Sequence, residues 1–215
     1  MSGDDTGATS PGDAGVTGRL AEQLAFVIEA DKLKSVVRRN DLADGSRREN
    51  TAEHSWTLAL MAVVLAEHAA EPVDVAAVVR MVVVHDLVEI DAGDTDVYDD
   101  GGRATQAERE ARAADRLFSL LPADQGAGLR AAWDEFEHGT TAEARFARSL
   151  DRLAGFLLNE VSGGRSWRER GVTADRVAQR CATVGEGAPN LGAELLRRLA
   201  AAVARGDLPA QPEGR

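Results

Sequence analysis

Apolar residues recur at intervals of three and four along most of the chain, which is the periodicity of an amphipathic α-helix. Alternation with a period of two, rich in aromatic and β-branched residues, is hard to find, so the pattern predicts an all-α fold. The predicted helices cover residues 20–30, 51–70, 73–87, 103–121, 125–138, 141–161, 174–184 and 191–204.

Capping and breaking residues define the ends of these helices. Asn50 and Thr51, followed by Glu53, are typical of a helix N-terminus, and Pro72, Pro122 and the Gly163-Gly164 pair interrupt helices. Between the helices, residues 38–49, 89–102 and 161–171 are predicted to form ordered loops of a size that often carries function.

The two ends of the chain differ from the rest in composition. Residues 1–17 are rich in Gly, Asp, Ser and Thr with almost no large apolar side chains, so we expect a disordered tail. Residues 206–215 contain two prolines and two glycines and are expected to be flexible. The remainder, 18–205, is predicted to be a single compact helical domain, since 215 residues with 44% hydrophobic content suit one core.

Charge and cysteine content narrow the functional classes. The net charge of −11 argues against binding a nucleic acid polymer, although a local basic pocket for one small anion remains compatible with it. The strongly apolar segment 73–84 contains Asp74 and Arg80 and is too short to span a bilayer, so no membrane association is expected. A single cysteine, Cys181, and no secretory signal favour a cytoplasmic location.

The clearest chemical signal is an imidazole and a carboxylate at adjacent positions, His85 and Asp86, at the end of an apolar helix. Burying both groups is costly unless a charge or a hydrogen bond compensates, and a divalent cation would do so. Taken alone, such a pair is more often a helix cap or a hydrogen-bonded structural pair than a metal site.

Two further residues strengthen the metal interpretation. His54 lies near the start of another predicted helix, and Asp151 shares an otherwise apolar helical face with Ala147, Ala154 and Leu158. A buried acid paired with an arginine remains the alternative for Asp151.

The order His54, His85-Asp86, Asp151 resembles the HD-domain superfamily of metal-dependent phosphohydrolases. Its 5'-deoxynucleotidase branch is similar in the segments 49–55, 85–89, 93–94, 134–137 and 142–146, together with Arg39. The resemblance covers roughly 20–160 and is weaker beyond. The chain departs from the branch at Asn40, where an aromatic residue is common.

The resemblance implies a role for each matching residue. His54, His85, Asp86 and Asp151 would bind one divalent ion, for which Mn, Co, Fe, Zn and Mg are all candidates. Glu89 and Asp94 would be the catalytic acid and base; if the helix continues, Glu89 also faces the same side as His85. Arg39 would bind the substrate phosphate, and Arg47 is a candidate for a second contact.

The predicted function is hydrolysis of a small phosphomonoester, most simply a deoxynucleoside 5'-monophosphate, to nucleoside and phosphate. Two alternatives stay open: a phosphodiester or pyrophosphate hydrolase acting on a signalling nucleotide, and a non-catalytic, metal-stabilised effector-binding protein. Apolar faces on the last two predicted helices are compatible with either core closure or a homodimer.

Overall fold

The computed structural model describes residues 18–95, residue 101 and residues 104–209. The predicted disordered tail, 1–17, and most of the predicted flexible C-terminus, 210–215, lie outside the described residues, as do parts of the predicted loop 89–102.

The described chain is predominantly α-helical, as the apolar periodicity predicts. The helices are α1 Arg19–Ala30, α2 Thr51–Leu65, α3 Val75–Val84, α4 Glu89–Ala92, α5 Gln106–Phe118, α6 Ala123–His138, α7 Ala142–Val161, α8 Arg165–Glu169, α9 Ala174–Cys181, α10 Val184–Gly187 and α11 Pro189–Arg205. Two 3₁₀ turns, Asp31–Ser35 and Ala66–His68, follow α1 and α2.

One β-hairpin interrupts the helical architecture. Strands β1, Val37–Asp41, and β2, Arg48–Asn50, pair antiparallel, with Val37 opposite Asn50 and Asp41 opposite Arg48. The prediction of a loop over 38–49 is therefore wrong in part. These strands have five and three residues and are mostly polar, so they leave almost no hydrophobic alternation in the sequence.

Helix α7 lies at the centre of the molecule because it contributes to two apolar clusters. Ala147, Leu150 and Ala154 pack with residues of α2, α3 and α6 in the first cluster. Leu153 and Phe156 pack with residues of α8, α9 and α11 in the second. A helix with neighbours on both sides is held in place along its length, so a polar side chain on it, such as that of Asp151, has a well-defined position.

Helix ends follow the predicted caps in some places and differ in others. Asn50 forms a capping box with Glu53, as the sequence indicates. The helix predicted for 73–87 is shorter: it begins after the cap Asp74 and ends at Val84. Residues 85–88 continue as turns, in which the Glu89 amide donates to the Asp86 carbonyl at 3.0 Å. The loop predicted for 161–171 contains the short helix α8.

A band of exposed apolar side chains runs along α1 and α2. On α1 it comprises Leu20, Leu24, Val27 and Ile28, the last being 73% exposed. On α2 it comprises Trp56, Leu60, Val63 and Val64, with Trp56 68% exposed. We call these eight residues the α1–α2 apolar band. No helix within the described residues is long and apolar enough to cross a membrane.

Candidate metal centre

Three of the four predicted metal ligands form one cluster. Each of His54, His85 and Asp151 offers a ligand atom, and these atoms all lie within 4.8 Å of one another. His54 comes from the first turn of α2 and is fully buried, whereas Asp151 comes from the middle of α7. The Nε2 atom of His54 lies 3.0 Å from Oδ1 of Asp151. Two helices far apart in sequence thus meet at this point.

His85 is oriented by its surroundings on three sides. Its Nδ1 donates a hydrogen bond to the carbonyl of Val82 at 2.9 Å, since a carbonyl can only accept. The ring packs against Phe136 at a centroid distance of 4.8 Å, and the indole of Trp133 donates to the His85 carbonyl at 3.1 Å. In the neutral ring the lone pair is therefore on Nε2, which is buried and faces another acceptor, Oδ2 of Asp86 at 3.0 Å, rather than a hydrogen-bond donor.

Asp86 lies at the edge of the cluster. Its Oδ2 is 3.0 Å from Nε2 of His85 and 4.0 Å from Nε2 of His54. The same oxygen accepts a hydrogen bond from Nη1 of Arg38 at 2.8 Å. The four predicted ligands are thus brought together, with Asp86 shared between the histidines and an arginine.

This donor set fits a divalent cation. Two imidazole nitrogens and two carboxylates are ordinary ligands for first-row divalent metals. Burial, and then the positive charge of Arg38, lowers the pKa of His54, which favours the neutral, ligating imidazole. Although burial opposes it, the hydrogen bond with His54 holds the pKa of Asp151 below its ordinary value, which favours the carboxylate. A cation bound among these groups would give the buried Nε2 of His85 the partner that it lacks.

Glu49 supports the cluster from behind. Its buried carboxylate lies 3.6 Å from Nδ1 of His54 and 3.5 Å from Nε of Arg38. Burial raises the pKa of Glu49 to about 7, although the charge of Arg38 opposes this. A carboxyl behind a ligating imidazole orients the ring and selects its tautomer.

The structure separates Arg38 from Arg39. Strand alternation directs the half-buried side chain of Arg38 to the cluster, where it contacts Asp86 and lies 3.8 Å from Asp94. Arg39 is exposed, and its carbonyl accepts a hydrogen bond from Oγ of Ser166 at 2.9 Å. The side chain near the metal centre is therefore that of Arg38, one residue before the predicted Arg39.

Arg47 is also outside the cluster. Its guanidinium donates two hydrogen bonds, of 2.6 and 2.9 Å, to the carboxylate of Glu53, and its side chain is 54% exposed. Because Glu53 belongs to the capping box of α2, this ion pair braces the start of that helix. Arg47 does not line the cavity described below.

The two predicted proton-transfer residues both lie beside the cluster. Glu89 is 7% exposed, and Oγ1 of Thr51 donates to its Oε2 at 2.9 Å. Burial, and next the negative charge of Asp86, raises the pKa of Glu89 to about 10. Asp94 follows Gly93, whose φ of 74° ends α4 in a conformation that favours glycine.

A cavity of about 600 Å³ opens onto the cluster. Its lining includes Arg38, His85, Asp86, Glu89, Asp94 and Asp151. A second cavity of about 90 Å³ adjoins it and shares the lining residues Arg38, Asp151, Arg152 and Arg180. Cavities of several hundred cubic ångströms hold small ligands, so the larger one is of a size for a nucleotide.

Several residues of this site have no role that the sequence alone indicates. The direction of the Arg38 side chain could not be predicted, because a hairpin with few apolar residues shows no hydrophobic alternation that would identify its buried face. Glu49 belongs to a recognised motif segment, but only its distance to His54 reveals its part. Arg152 and Arg180 are brought to the cavity by packing between α7 and α9, for which the sequence carries no signal.

Comparison with known proteins agrees with this geometry. A family model described as "HD domain" matches residues 30–191. The chain is 48% identical to a protein of known structure titled a predicted metal-dependent phosphohydrolase, from Magnetospirillum magnetotacticum MS-1. The TM-score is 0.85, with 88% of this chain and 95% of that chain covered. A conserved hypothetical protein from Pyrococcus furiosus, 20% identical, shares the fold with a TM-score of 0.58 over 83% of this chain and 99% of that one.

Curated relatives are more distant. Proteins named 5'-deoxynucleotidase HDDC2 from Bos taurus and Homo sapiens are 32% and 30% identical over 65% and 60% of this chain. The matches cover 67% and 62% of those relatives, so this chain spans about two thirds of their length or slightly less. With a family model matching most of the chain and a solved relative at nearly half identity, the protein belongs to the HD domain family of metal-dependent phosphohydrolases.

Proposed function

We propose that this protein hydrolyses the phosphomonoester of a small nucleotide, most simply a deoxynucleoside 5'-monophosphate. The observation that carries the proposal is the His54–His85–Asp151 cluster at the wall of a cavity of about 600 Å³, with the guanidinium of Arg38 beside it. Relatives named 5'-deoxynucleotidase support the choice of substrate.

The residues that would hold a divalent ion are His54, His85, Asp86 and Asp151. When bound there, the ion would lower the pKa of a water molecule and neutralise charge on the phosphoryl group. The buried Nε2 of His85, which lacks a hydrogen-bond partner in the described chain, supports this assignment. Mn, Co, Fe, Zn and Mg are the candidate ions for this donor set.

Arg38 binds the substrate phosphate in this proposal. Its Nη1 lies 2.8 Å from Asp86 and 3.8 Å from Asp94, so the same guanidinium can reach an oxygen placed among these groups. A guanidinium offers several donors in one plane and suits phosphate oxygens. Glu49, 3.5 Å from Nε of Arg38, orients the side chain from the opposite end.

Glu89 and Asp94 carry the protons. Hydrolysis forms one bond between the water oxygen and phosphorus and breaks the bond between phosphorus and the ester oxygen. The water loses a proton, and the leaving oxygen gains one. Because its pKa is raised to about 10 by burial, Glu89 is protonated near neutral pH in the metal-free protein and can donate. Asp94, on the same cavity wall, would accept.

Phosphate release from purified protein tests the proposal. The protein is loaded separately with each candidate metal and incubated with a panel of deoxynucleoside and ribonucleoside monophosphates, a cyclic nucleotide and a nucleoside tetraphosphate. We expect turnover of at least one monophosphate, and loss of turnover by 10²-fold or more in Glu89→Gln, since general acid–base catalysis contributes about that much.

The matched control is Glu108→Gln, which makes the same change on an exposed side chain of α5 paired with Arg112. Metal content, measured by elemental analysis, should be equal in both variants. Turnover of only the diester or pyrophosphate substrates would replace the monoester assignment. A Glu89→Gln variant with unchanged activity would contradict the assigned proton transfer, and no turnover of any substrate would favour a non-catalytic effector-binding protein.

We further propose that the protein forms a homodimer through the α1–α2 apolar band. Eight large apolar side chains on α1 and α2 are exposed, and clusters of exposed apolar side chains often mark sites of protein–protein association. A symmetric pair of such surfaces would bury both. The cytoplasmic location expected from the single cysteine stays a prediction.

A further inference from the structure

The larger cavity is lined by both acidic and basic side chains. Glu110 and Glu137 come from α5 and α6, and Arg148 of α7 contacts the Glu137 carbonyl. Arg152 and Arg180, from α7 and α9, line this cavity and also the smaller one that adjoins it. A negatively charged ligand group is repelled by the glutamates and attracted to these two arginines, so the arginines are the place for negative charge beyond that at the candidate metal centre.

Apart from Arg38, none of the arginines that line the larger cavity forms an ion pair within the described residues. Arg148 donates to the carbonyls of Phe136 and Glu137, at 3.0 and 2.5 Å. Within the described part of the chain, Arg152 and Arg180 form neither an ion pair nor a side-chain hydrogen bond, and the Nε of Arg152 is buried without a partner. The nearby Asp151 is engaged by His54.

Unpaired cations at this position need an explanation, because the chain has 36 acidic and only 25 basic residues. Elsewhere arginines find acids readily, as Arg165 does with Asp41 and Arg198 with Glu160. Two like charges partly removed from water also repel each other. An anion bound between Arg152 and Arg180 would remove both penalties.

The smaller cavity supplies the space. Arg152 and Arg180 line it together with Asn40, whose Oδ1 accepts from Nδ2 of Asn159 at 2.8 Å, leaving the Asn40 amide as a donor. Among the described residues that line it, Asp151 is the only acid. At about 90 Å³ it is far below the roughly 300 Å³ of pockets for whole small ligands, so it suits a single compact group.

We propose that Arg152 and Arg180 bind a second phosphate of the substrate, so that the preferred substrates are small nucleotides carrying a phosphate besides the one hydrolysed. This inference rests on the proposed function for the position of the first phosphate, at Arg38 and the metal centre. Because the two cavities share lining residues, among them Asp151 and Arg152, the two phosphates would lie close together, as they do on one nucleotide.

Binding and kinetics with matched ligands test the inference. The ligands are deoxyadenosine 5'-monophosphate, deoxyadenosine 3',5'-bisphosphate and deoxyadenosine 5'-diphosphate. Dissociation constants are measured by calorimetry on the metal-loaded Glu89→Gln protein, and KM on the otherwise unmodified protein. Arg152→Gln and Arg180→Gln are compared with Arg197→Gln, which removes an equal charge from an exposed surface ion pair with Glu194.

We expect one of the two doubly phosphorylated ligands to bind about tenfold or more tightly than the monophosphate, the strength of one charge-assisted phosphate contact. Arg152→Gln and Arg180→Gln should abolish that advantage, so that the ratio of the monophosphate Kd to the Kd of the doubly phosphorylated ligand falls to about one, whereas Arg197→Gln should leave this ratio unchanged. Which ligand gains shows whether the second phosphate is on the sugar or on the first phosphate. Arg180 is on a half-buried surface of α9, so its variant keeps the test valid if Arg152→Gln fails to fold.

Equal affinity for all three ligands would overturn the inference, as would a variant that weakens the monophosphate and the doubly phosphorylated ligands alike. The latter result would mean that the arginines serve the fold or the first phosphate. If no monophosphate is turned over but the arginine-dependent advantage in Kd is present, the proposed monophosphatase function fails while the second phosphate site stands.

Discussion

The paired variants Arg38→Gln and Arg39→Gln test the assignment of the phosphate-binding arginine most directly. The two residues are adjacent and carry the same charge, but Arg38 is half-buried beside Asp86 and Glu49, whereas Arg39 is exposed on the opposite face of β1. Any difference in activity or stability between the two variants therefore results from the face of the strand on which each side chain lies, and not from the change in net charge.

The expected magnitudes follow from these contacts. A charge-assisted hydrogen bond to phosphate contributes about 1.5–3 kcal/mol, so Arg38→Gln should lower kcat/KM by roughly ten- to a hundredfold. It also leaves the carboxylate of Asp86 without its partner at 2.8 Å, and breaking a buried pair costs about 3 kcal/mol of unfolding free energy. Arg39→Gln should change stability by less than about 0.5 kcal/mol and activity by less than about twofold.

Steady-state phosphate release and urea denaturation measure both effects. The stability loss of Arg38→Gln should be largest in chelator and smaller with bound metal, since a cation in the cluster replaces part of the lost positive charge. If Arg39→Gln lost activity while Arg38→Gln kept it, the assignment of Arg38 as the arginine beside the candidate metal centre would be refuted. Equal losses in both variants would indicate a general electrostatic effect.

Three further measurements test other parts of the structure. Burial raises the pKa of Glu89 from 4.5 to about 10, so between these pH values the folded protein retains a proton that the unfolded chain releases. In the presence of a chelator, the contribution of Glu89 to the free energy of unfolding should therefore fall as pH rises from about 4.5 to 10. Urea titrations should show a smaller decline for Glu89→Gln. Wild-type and Glu89→Gln curves that stay parallel across this range would contradict the burial effect. Trp56→Asp, in the α1–α2 apolar band, should shift the protein from dimer to monomer in light scattering. The control Leu196→Asp, at a 54% exposed leucine of α11, should leave the dimer intact. A wild-type protein that is monomeric would rule out the proposed dimer. Cys181 is buried, and burial raises the pKa of its thiol to about 11. Alkylation by iodoacetamide at pH 8 should therefore be at least tenfold slower in the folded protein than in urea. Equal rates would show that the thiol is accessible in the folded protein.

The sequence predicts the helices and most residues of the candidate metal centre because both depend on local patterns. Apolar periodicity identifies α2, α3 and α7, and each candidate ligand stands out as a polar residue in an apolar context. Helix ends are less well predicted: the turns after Val84 break the regular spacing, so the position of Glu89 results from tertiary contacts such as that with Thr51.

The choice of arginine could not be predicted for a different physical reason. In a helix, neighbouring residues point about 100° apart, but in a strand they point to opposite faces. Without evidence for a strand, the adjacent Arg38 and Arg39 were equivalent in the sequence. The proximity of Arg152 and Arg180 could likewise not be predicted from the sequence, because these residues come together only where α7 and α9 pack against each other.

The hairpin also determines where this chain can change in length. At its start, the amide of Thr51 donates to the Val36 carbonyl at 3.0 Å. At its other end, the buried carboxylate of Asp41 accepts from Nε of Arg165 at 2.8 Å. An inserted or deleted residue between these two anchors would exchange the faces of the strand and turn the Arg38 guanidinium away from the candidate metal centre. Related sequences should therefore vary in length across the turn 42–47 while keeping the spacing from 36 to 41 constant.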